Sequence, residues 1–438
     1  MVSLAHLEPS FHFTRLHMSE ATQLDVNSIP LDEIDVSDPT IYENDCWQPY
    51  FARLRAEAPV HYCAQTPVGA YWSVSSHDLI KQVDTNHQVF SSERGGIAIP
   101  DQREEDEQLD TDIPIENFIS MDPPGHDVQR ATVAPSVAPS NLANFEPLIR
   151  ERVADILDNL PVGETFNWVD KVSVELTARM LATLFDFPYE DRRKLIHWSD
   201  ITTNVPELTG DEDFDMEQRQ QDLMDCATTF MQIWQDRAAG DPKFDLISML
   251  AHGENTKDMI NNPMLFLGNV LLLIVGGNDT TRNSISGGVI ALNQFPDEYQ
   301  KLRDNPSVIP NMVAEMVRWQ TPVIHMRRTA TEDFILGGQK ISEGDKVVMW
   351  YLSGNRDENV FPDADRLIVD RENARAHVAF GFGIHRCMGN RLAEMQLRIL
   401  WEEIMNRFEK VELAGDVVRL PNNFIRGIAE VPVRLVPK

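Results

Sequence analysis

"AFGFGIHRCMGNRLAEMQL", residues 379–397, sets a single cysteine, Cys387, among glycines just ahead of a helical pattern. After it Ala393, Leu397, Leu400, Ile404 and Phe408 recur at steps of four, three, four and four. That is the spacing of one buried helix face, so Cys387 lies at or just before a helix N-terminus. Free backbone N–H groups and the positive end of the helix dipole favour an anion there, which makes a thiolate less costly than elsewhere. Gly381, Gly383 and Gly389 let the backbone turn tightly and let a flat, bulky group approach the sulfur. The plainer reading of a lone cysteine is a small buried apolar residue, and a catalytic nucleophile or a zinc ligand are two more. Zinc would need partners at short spacing; none surrounds Cys387, and Cys46, Cys63 and Cys226 are scattered.

The chain of 438 residues is 42% hydrophobic and 25% charged, a folded composition large enough for a substantial core. Its net charge of −30 excludes nucleic acid and anionic membrane surfaces as main partners. No secretory signal or membrane anchor is visible, and the unpatterned cysteines fit a reducing compartment, so the cytoplasm is expected. The expected fold is mainly α with a minor β portion. Residues 1–40 read as an N-terminal arm and 41–438 as one domain, with β-rich parts at about 55–100 and 320–380 and helical parts at about 120–320 and 387–410. The acidic stretches 101–117 and 204–215 read as mobile connections framing an entrance.

A second constellation lies in the longest apolar run, "PMLFLGNVLLLIVGG" at 263–277, which reads as a helix buried on all sides. It runs into "GGNDTTRNS", Gly276 to Ser284, and the apolar pattern resumes beyond. Two glycines inside a helix cost roughly 1 kcal/mol each, and a buried Asp279 is costly unless neutralised or used. The glycines would clear space beside a cofactor, Asp279 and Thr280 would form an acid and hydroxyl relay, and Thr280 would bond back one turn. Glu315 and Arg318, three apart, share a helix face; His126 and Arg130, four apart, share another. Either pair alone says little.

In order along the chain, the H-x-x-x-R at His126 and Arg130, the G-G-x-D-T-T at 276–281, the E-x-x-R at Glu315 and Arg318, and the F-x-x-G-x-x-x-C-x-G at 380–389 resemble a cytochrome P-450 over about residues 45–435. The resemblance implies that fold around a buried haem b, with Cys387 as the iron ligand. It places Phe380 against the haem near the sulfur, Gly383 where the loop hugs the porphyrin, and Gly389 in the same motif. His126, Arg130, Arg327 and His385 would hold the propionates. Glu315 and Arg318 would form a structural network with Arg366, and Asp279 and Thr280 would stand over bound dioxygen.

The stretches "LLIVGGNDTTRNSISGG" and "HVAFGFGIHRCMGNRLAE" look most like soluble bacterial hydroxylases that oxidise the terminal carbon of medium-chain alkanes and fatty acids. A pocket of Gly276, Val323, Ile324, Phe424 and Ile425 would suit such a chain. A terpenoid, steroid or aromatic substrate is the alternative, and a haem-based gas sensor or carrier the remote non-enzyme reading. The resemblance also implies a ferredoxin and its NAD(P)H-dependent reductase as electron donors. Between Arg366 and Arg398 six arginines stand against three acids, the reverse of the global balance, which reads as a basic docking face near Cys387 with Arg391 and Arg398 exposed.

Overall fold

The computed structural model describes residues 25–101, 116–211 and 213–438. Its centre is one unbroken helix, Pro263–Gln294, 32 residues long, so the glycines at 276 and 277 do not end it. Pro263 is pre-set for the first turn, and the Asn262 side chain accepts from Leu265 N–H. Helices Glu175–Phe185, Arg193–Thr203, Ile309–Gln320 and Asn390–Arg407 pack around it. Gly287 and Gly288 permit the closest crossing: a Cβ there would meet Gln320 Oε1 at 2.3 Å and Met316 Sδ at 2.9 Å.

The β portion is a five-stranded sheet in the order Val60–Cys63, Tyr71–Val74, Lys346–Met349, Met326–Ala330, Phe90–Ser91, with three smaller sheets. The G-G at 337–338 reads in the sequence as a turn between two β-prone runs, and it is one: both glycines are at positive φ and join Phe334–Leu336 to Gln339–Ile341. Strands stop at Met349, so the expected β-rich region to 380 is half right. From 350 to 386 the chain is turns and short helices, its carbonyls taken by the buried Arg318 and Arg371 and the half-buried Asn373 among others.

The sequence reading passed over the C-terminal strands Phe408–Leu413, Val418–Arg419, Ile428–Glu430 and Pro432–Pro437. In the last of these Val433 and Leu435 turn inward and Arg434 outward, the period-two signal. Residues 25–40, expected in a loose arm, are packed: Ile34 and Val36 are buried with Trp47, Phe51, Tyr71 and Trp350. Residues 1–24 of that arm, and 102–115 of the acidic stretch 101–117, lie outside the described residues. The stretch 204–215 holds a short helix, Pro206–Thr209.

Candidate functional site

The Asn390–Arg407 helix buries Leu397, Leu400 and Ile404 as its spacing predicts, and Cys387 stands three residues before its start. Cys387 N–H donates to Phe380 O at 2.8 Å, closing the loop on itself. Cys387 is exposed at its sulfur, yet the protein mass around it desolvates the thiol and raises its pKa. The backbone N–H groups of Gly389 and Asn390 and the charges of Arg130 and Arg386 pull the other way without winning. So the expected helix-end stabilisation is present but is outweighed by desolvation.

At φ +66° a Cβ on Gly383 would lie 2.3 Å from Asp84 O, so its missing side chain admits the end of the His77–Thr85 helix. Gly389 has open space around it. Asp84 organises the loop: Oδ2 accepts from Phe382 N–H (2.6 Å) and Tyr351 OH (3.0 Å), and Oδ1 from Arg328 Nη2 (3.0 Å). The Phe380 ring is half-buried against His377 at 5.2 Å.

Three of the four expected propionate-side residues meet here. His126, buried on the Gly125–Val133 helix, lies edge-on to His385 with ring centroids 4.4 Å apart. Arg130, one turn on, donates to Arg386 O. His385 Nε2 is 3.0 Å from Ser92 Oγ, while His385 Nδ1 and His126 Nε2 are buried without a partner among the described residues. Burial first, then Arg328, His126, Arg130 and His87, depress the His385 pKa, so its ring is neutral.

Arg327 is the exception. Side chains alternate along a strand, and Arg327 points to the opposite face from Arg328, donating to Pro100 O and pairing with Asp101. Its neighbour Arg328 is the cation whose charge reaches His385. The sequence reading picked the wrong one of two adjacent arginines.

On the central helix, Gly276 is exposed and Leu272, Leu273 and Thr280 are half-buried, one face at helical spacing, so the helix is not buried on all sides. A Cβ on Gly276 would meet nothing within 4 Å. Thr280 Oγ1 donates to Gly276 O at 3.1 Å, the expected back-bond. Asp279 points away from that face. Its Oδ1 accepts from Arg282 Nη2 (2.7 Å) and Asn278 Nδ2 (2.9 Å), and its Oδ2 from Thr203 Oγ1 (3.1 Å). Burial pushes its pKa up to about 6 against the pull of Arg282. Arg282 in turn reaches Asp200 Oδ1 at 2.8 Å, on the Arg193–Thr203 helix. Arg282, Asp200 and Thr203 were missed; only Arg282, three residues after Asp279, left a sequence signal.

Glu315 and Arg318 form the expected pair, both fully buried, at 2.7 Å and 2.8 Å. Their partner is not Arg366, which is exposed and pairs with Asp297, offering the network only its carbonyl. Arg371 takes the place, donating to Glu315 Oε1 at 2.9 Å. Four of the five expected pocket residues are joined to one another, by a bridge between Val323 and Ile425 and a bond from Ile324 N–H to Phe424 O at 2.8 Å; Gly276, on the central helix, is not in contact with them.

Among known protein families, residues 307–432 match the one described as Cytochrome P450. The chain is 38% identical over 418 residues to linalool 8-monooxygenase of Pseudomonas putida, covering 92% of this chain and 99% of that protein. A methyl-branched lipid omega-hydroxylase of Mycobacterium bovis is 30% identical, with 93% and 97% covered. Among solved structures, cytochrome P450-153 from Novosphingobium aromaticivorans superimposes with a TM-score of 0.85 at 47% identity, over 92% of this chain and 99% of that one. With the helix-rich body, the small sheets and the cysteine loop in place, the chain belongs to the cytochrome P450 family and is a haem b monooxygenase acting on O2 and an organic substrate.

Proposed function

We propose that this enzyme hydroxylates a linear, medium-chain alkane or fatty acid at or near its terminal carbon. One observation carries the reading: the accessible face of the central helix, Leu272, Leu273, Gly276 and Thr280, is apolar apart from a single hydroxyl. Of the bridged Val323–Ile324 and Phe424–Ile425 segments, Val323 and Phe424 are half-buried and supply further apolar surface, whereas Ile324 and Ile425 are buried behind them. The lipid omega-hydroxylase relative supports oxidation at a chain end. A second reading, a terpenoid substrate, is favoured by the linalool 8-monooxygenase relative.

Cys387 is assigned as the thiolate ligand of the haem iron. A lone cysteine serves a metal where the cofactor brings the remaining ligands, and among the described residues no group of three or more His, Cys, Asp or Glu could hold a bare ion. His385 Nδ1, buried and unpartnered among the described residues, is matched by a carboxylate acceptor, with Arg130 and Arg328 as the charges; these donors fit haem propionates, while the His126 Nδ1 proton goes to Asp127 Oδ1 at 2.8 Å. Phe380 and Gly389 flank the sulfur. When bound, thiolate-ligated haem supplies oxygen activation and the oxidising power for C–H insertion.

The chain's own work is aim and proton supply. Thr280 Oγ1 donates its own proton to Gly276 O and so offers acceptor lone pairs on the accessible face, passing a proton on only by exchanging that bond, and Asp279, on the other side of the helix, is the acid assigned to replenish it. A carboxyl with pKa about 6 gives and regains a proton readily near neutral pH.

Electrons are assigned to a ferredoxin served by an NAD(P)H-dependent reductase, in the reducing cytoplasm that four free cysteines suit. The docking face is narrower than the sequence suggested. Arg371 is buried, Arg366 and Arg375 are paired, and Arg398 is tied to Glu146 and Glu402, leaving Arg386 and Arg391 exposed and without an ion pair among the described residues. Arg391→Glu should slow reduction by an acidic ferredoxin severalfold at low salt; equal stopped-flow rates would remove Arg391 from the face.

The substrate experiment is an absorbance titration of the ferric enzyme with octane, dodecanoate and a bulky terpene, followed by product analysis. Saturable spin-state shifts with the linear compounds and oxidation at the end carbon are expected. A shift with the terpene alone overturns the linear-chain reading in favour of the second one.

A further inference from the structure

The two carboxyl oxygens of Asp279 have unlike neighbours. Oδ1 faces donors only, Arg282 Nη2 at 2.7 Å and Asn278 Nδ2 at 2.9 Å. Neither nitrogen has a lone pair to receive a proton from the carboxyl, and Asn278 is held in this orientation because its Oδ1 accepts from Thr177 Oγ1 at 2.8 Å. Oδ2 faces hydroxyls. Thr203 Oγ1 lies 3.1 Å away, and the same hydroxyl is 3.3 Å from Ser199 O, the carbonyl one turn back on its own helix. One O–H thus has two acceptors within reach. Ser199 Oγ is fully buried with no well-aligned hydrogen-bond partner among the described residues, yet it stands close enough to the Asp279 carboxyl to pull its pKa down alongside Thr203. The charges that face this carboxyl are Arg282 on the central helix and Asp200 on the Arg193–Thr203 helix.

Thr203 is firmly placed. It ends the Arg193–Thr203 helix, where carbonyls lack an intrahelical partner, and its O accepts from Asn422 Nδ2 at 2.8 Å. Asn422 is itself buried and fixed, its Oδ1 accepting from the N–H groups of Phe424 at 2.7 Å and Ile425 at 2.8 Å. The Thr203 backbone is therefore anchored while its hydroxyl proton is free to turn.

We propose that Thr203 and Ser199 are positioning residues for the relay: they place the exchangeable proton of Asp279 on Oδ2 and keep that oxygen bonded in both of its charge states. The inference rests on the reading of Asp279 as the acid of the relay and adds where its proton sits and what holds it there. While the carboxyl is ionised, Thr203 Oγ1 donates to Oδ2. Once Oδ2 is protonated it donates to Thr203 Oγ1, whose own proton turns to Ser199 O. The carboxyl gains or loses one proton and the threonine keeps its own. Neither state then leaves a buried polar atom unpaired, which would lock the acid into the other state.

Thr203→Val keeps the side-chain shape and removes the hydroxyl, and Thr203→Ser restores it. The bond to the ionised carboxyl is charge-assisted and the stronger of the two, so its loss should raise the Asp279 pKa. Two readouts follow in holoenzyme whose ferrous carbon monoxide spectrum has verified the haem-thiolate. One is the stability difference made by Asp279→Asn in each background across pH. The other is the pH profile of turnover with whichever of octane, dodecanoate and a bulky terpene shifts the ferric spin state. In wild type the stability contribution of protonated Asp279 is complete below 3.8 and lost through about 6. In Thr203→Val it should persist about half to one pH unit higher, and the alkaline limb of turnover should move up with it. Ser199→Ala should move both the same way by less, and Thr203→Ser should return both to the wild-type position. An undisplaced Thr203→Val, or a Thr203→Ser displaced as far as Thr203→Val, overturns the proposal. If Asp279→Asn is impaired while Thr203→Val is undisplaced, the proposal alone falls. Wild-type turnover in Asp279→Asn sinks the relay reading and the proposal with it.

Discussion

Two buried carboxylates, each clamped by an arginine three residues later, have opposite fates. Glu315 accepts from Arg318, Arg371 and Ile368 N–H, and Arg318 spends its remaining donors on Asn355 O, Ala364 O and Arg366 O. Both side chains are fully buried and the network ends inside the protein. Asp279 is equally buried, but its Arg282 leads on to Asp200, whose side chain is 38% exposed. A sealed cluster holds chain segments together. One that reaches the surface can open there: Arg282 stays charged and carries no proton itself, but by turning to Asp200 it frees the Asp279 carboxyl to exchange with water. The same sequence spacing therefore carries structure in one place and chemistry in the other, and the partners decide which.

Breaking the sealed cluster should have the largest effect. Glu315→Gln leaves Arg318 and Arg371 buried beside a neutral amide, and removing one partner of a buried pair costs about 3–5 kcal/mol. Denaturation midpoints should fall accordingly and haem retention with them, because Arg318 and Arg371 also hold the carbonyls of Pro362, Asp363, Ala364 and Arg366. Wild-type stability in that variant would mean the network is ornamental.

Asp279→Asn should behave the other way, keeping fold and haem while turnover drops roughly a hundredfold, within the range for a lost general acid. The solvent isotope effect should rise. Stability adds an independent sign. The folded state raises the Asp279 pKa from 3.8 to about 6, so it favours the protonated carboxyl. That contribution is complete below 3.8 and lost as pH rises through about 6. Wild-type stability relative to Asp279→Asn should fall across that window, and a flat difference would contradict the raised pKa. Thr280→Ala is gentler: substrate affinity and NAD(P)H consumption should stay within about twofold while product gives way to hydrogen peroxide. Fully coupled turnover would remove Thr280 Oγ1 from the relay.

The contrast between the clusters also separates what could be read in the sequence from what could not. Short-range geometry was legible: the helix after Cys387, the back-bond from Thr280 to Gly276, the Glu315–Arg318 pair and the turn at Gly337 and Gly338 each depend on residues within a turn or two. Long-range partners were not. Arg371 rather than Arg366 meets Glu315 because of how an irregular segment folds back, which no periodicity encodes. Arg328 rather than Arg327 faces His385 because strand alternation fixes the side but not which face is inward until the sheet is assembled. Asp200 and Thr203 come from a helix some 76 residues before Asp279 and show nothing unusual in sequence. The C-terminal strands were overlooked although Phe408–Leu413 and Pro432–Pro437 have six residues each: the first follows the Asn390–Arg407 helix without a break, so Phe408 reads as part of the helical face, and the second begins and ends on proline.

Asp200 tests the outlet itself, and its effect should be the smallest. It touches neither substrate nor the accessible face; it holds Arg282, and through Arg282 the carboxyl of Asp279. Asp200→Asn keeps the side-chain shape and a weaker acceptor for Arg282, and being partly exposed it should change stability by less than about 1 kcal/mol. If protons pass this way, Arg282 without its second anion will bind Asp279 more tightly and keep it ionised. Turnover should then fall about two- to threefold, with a larger solvent isotope effect and an altered pH profile. A purely structural Asp200 would move none of the last two. If the isotope effect and pH profile both match wild type, the cluster is as closed in function as that of Glu315, and Asp279 must draw its protons from the accessible side of the helix.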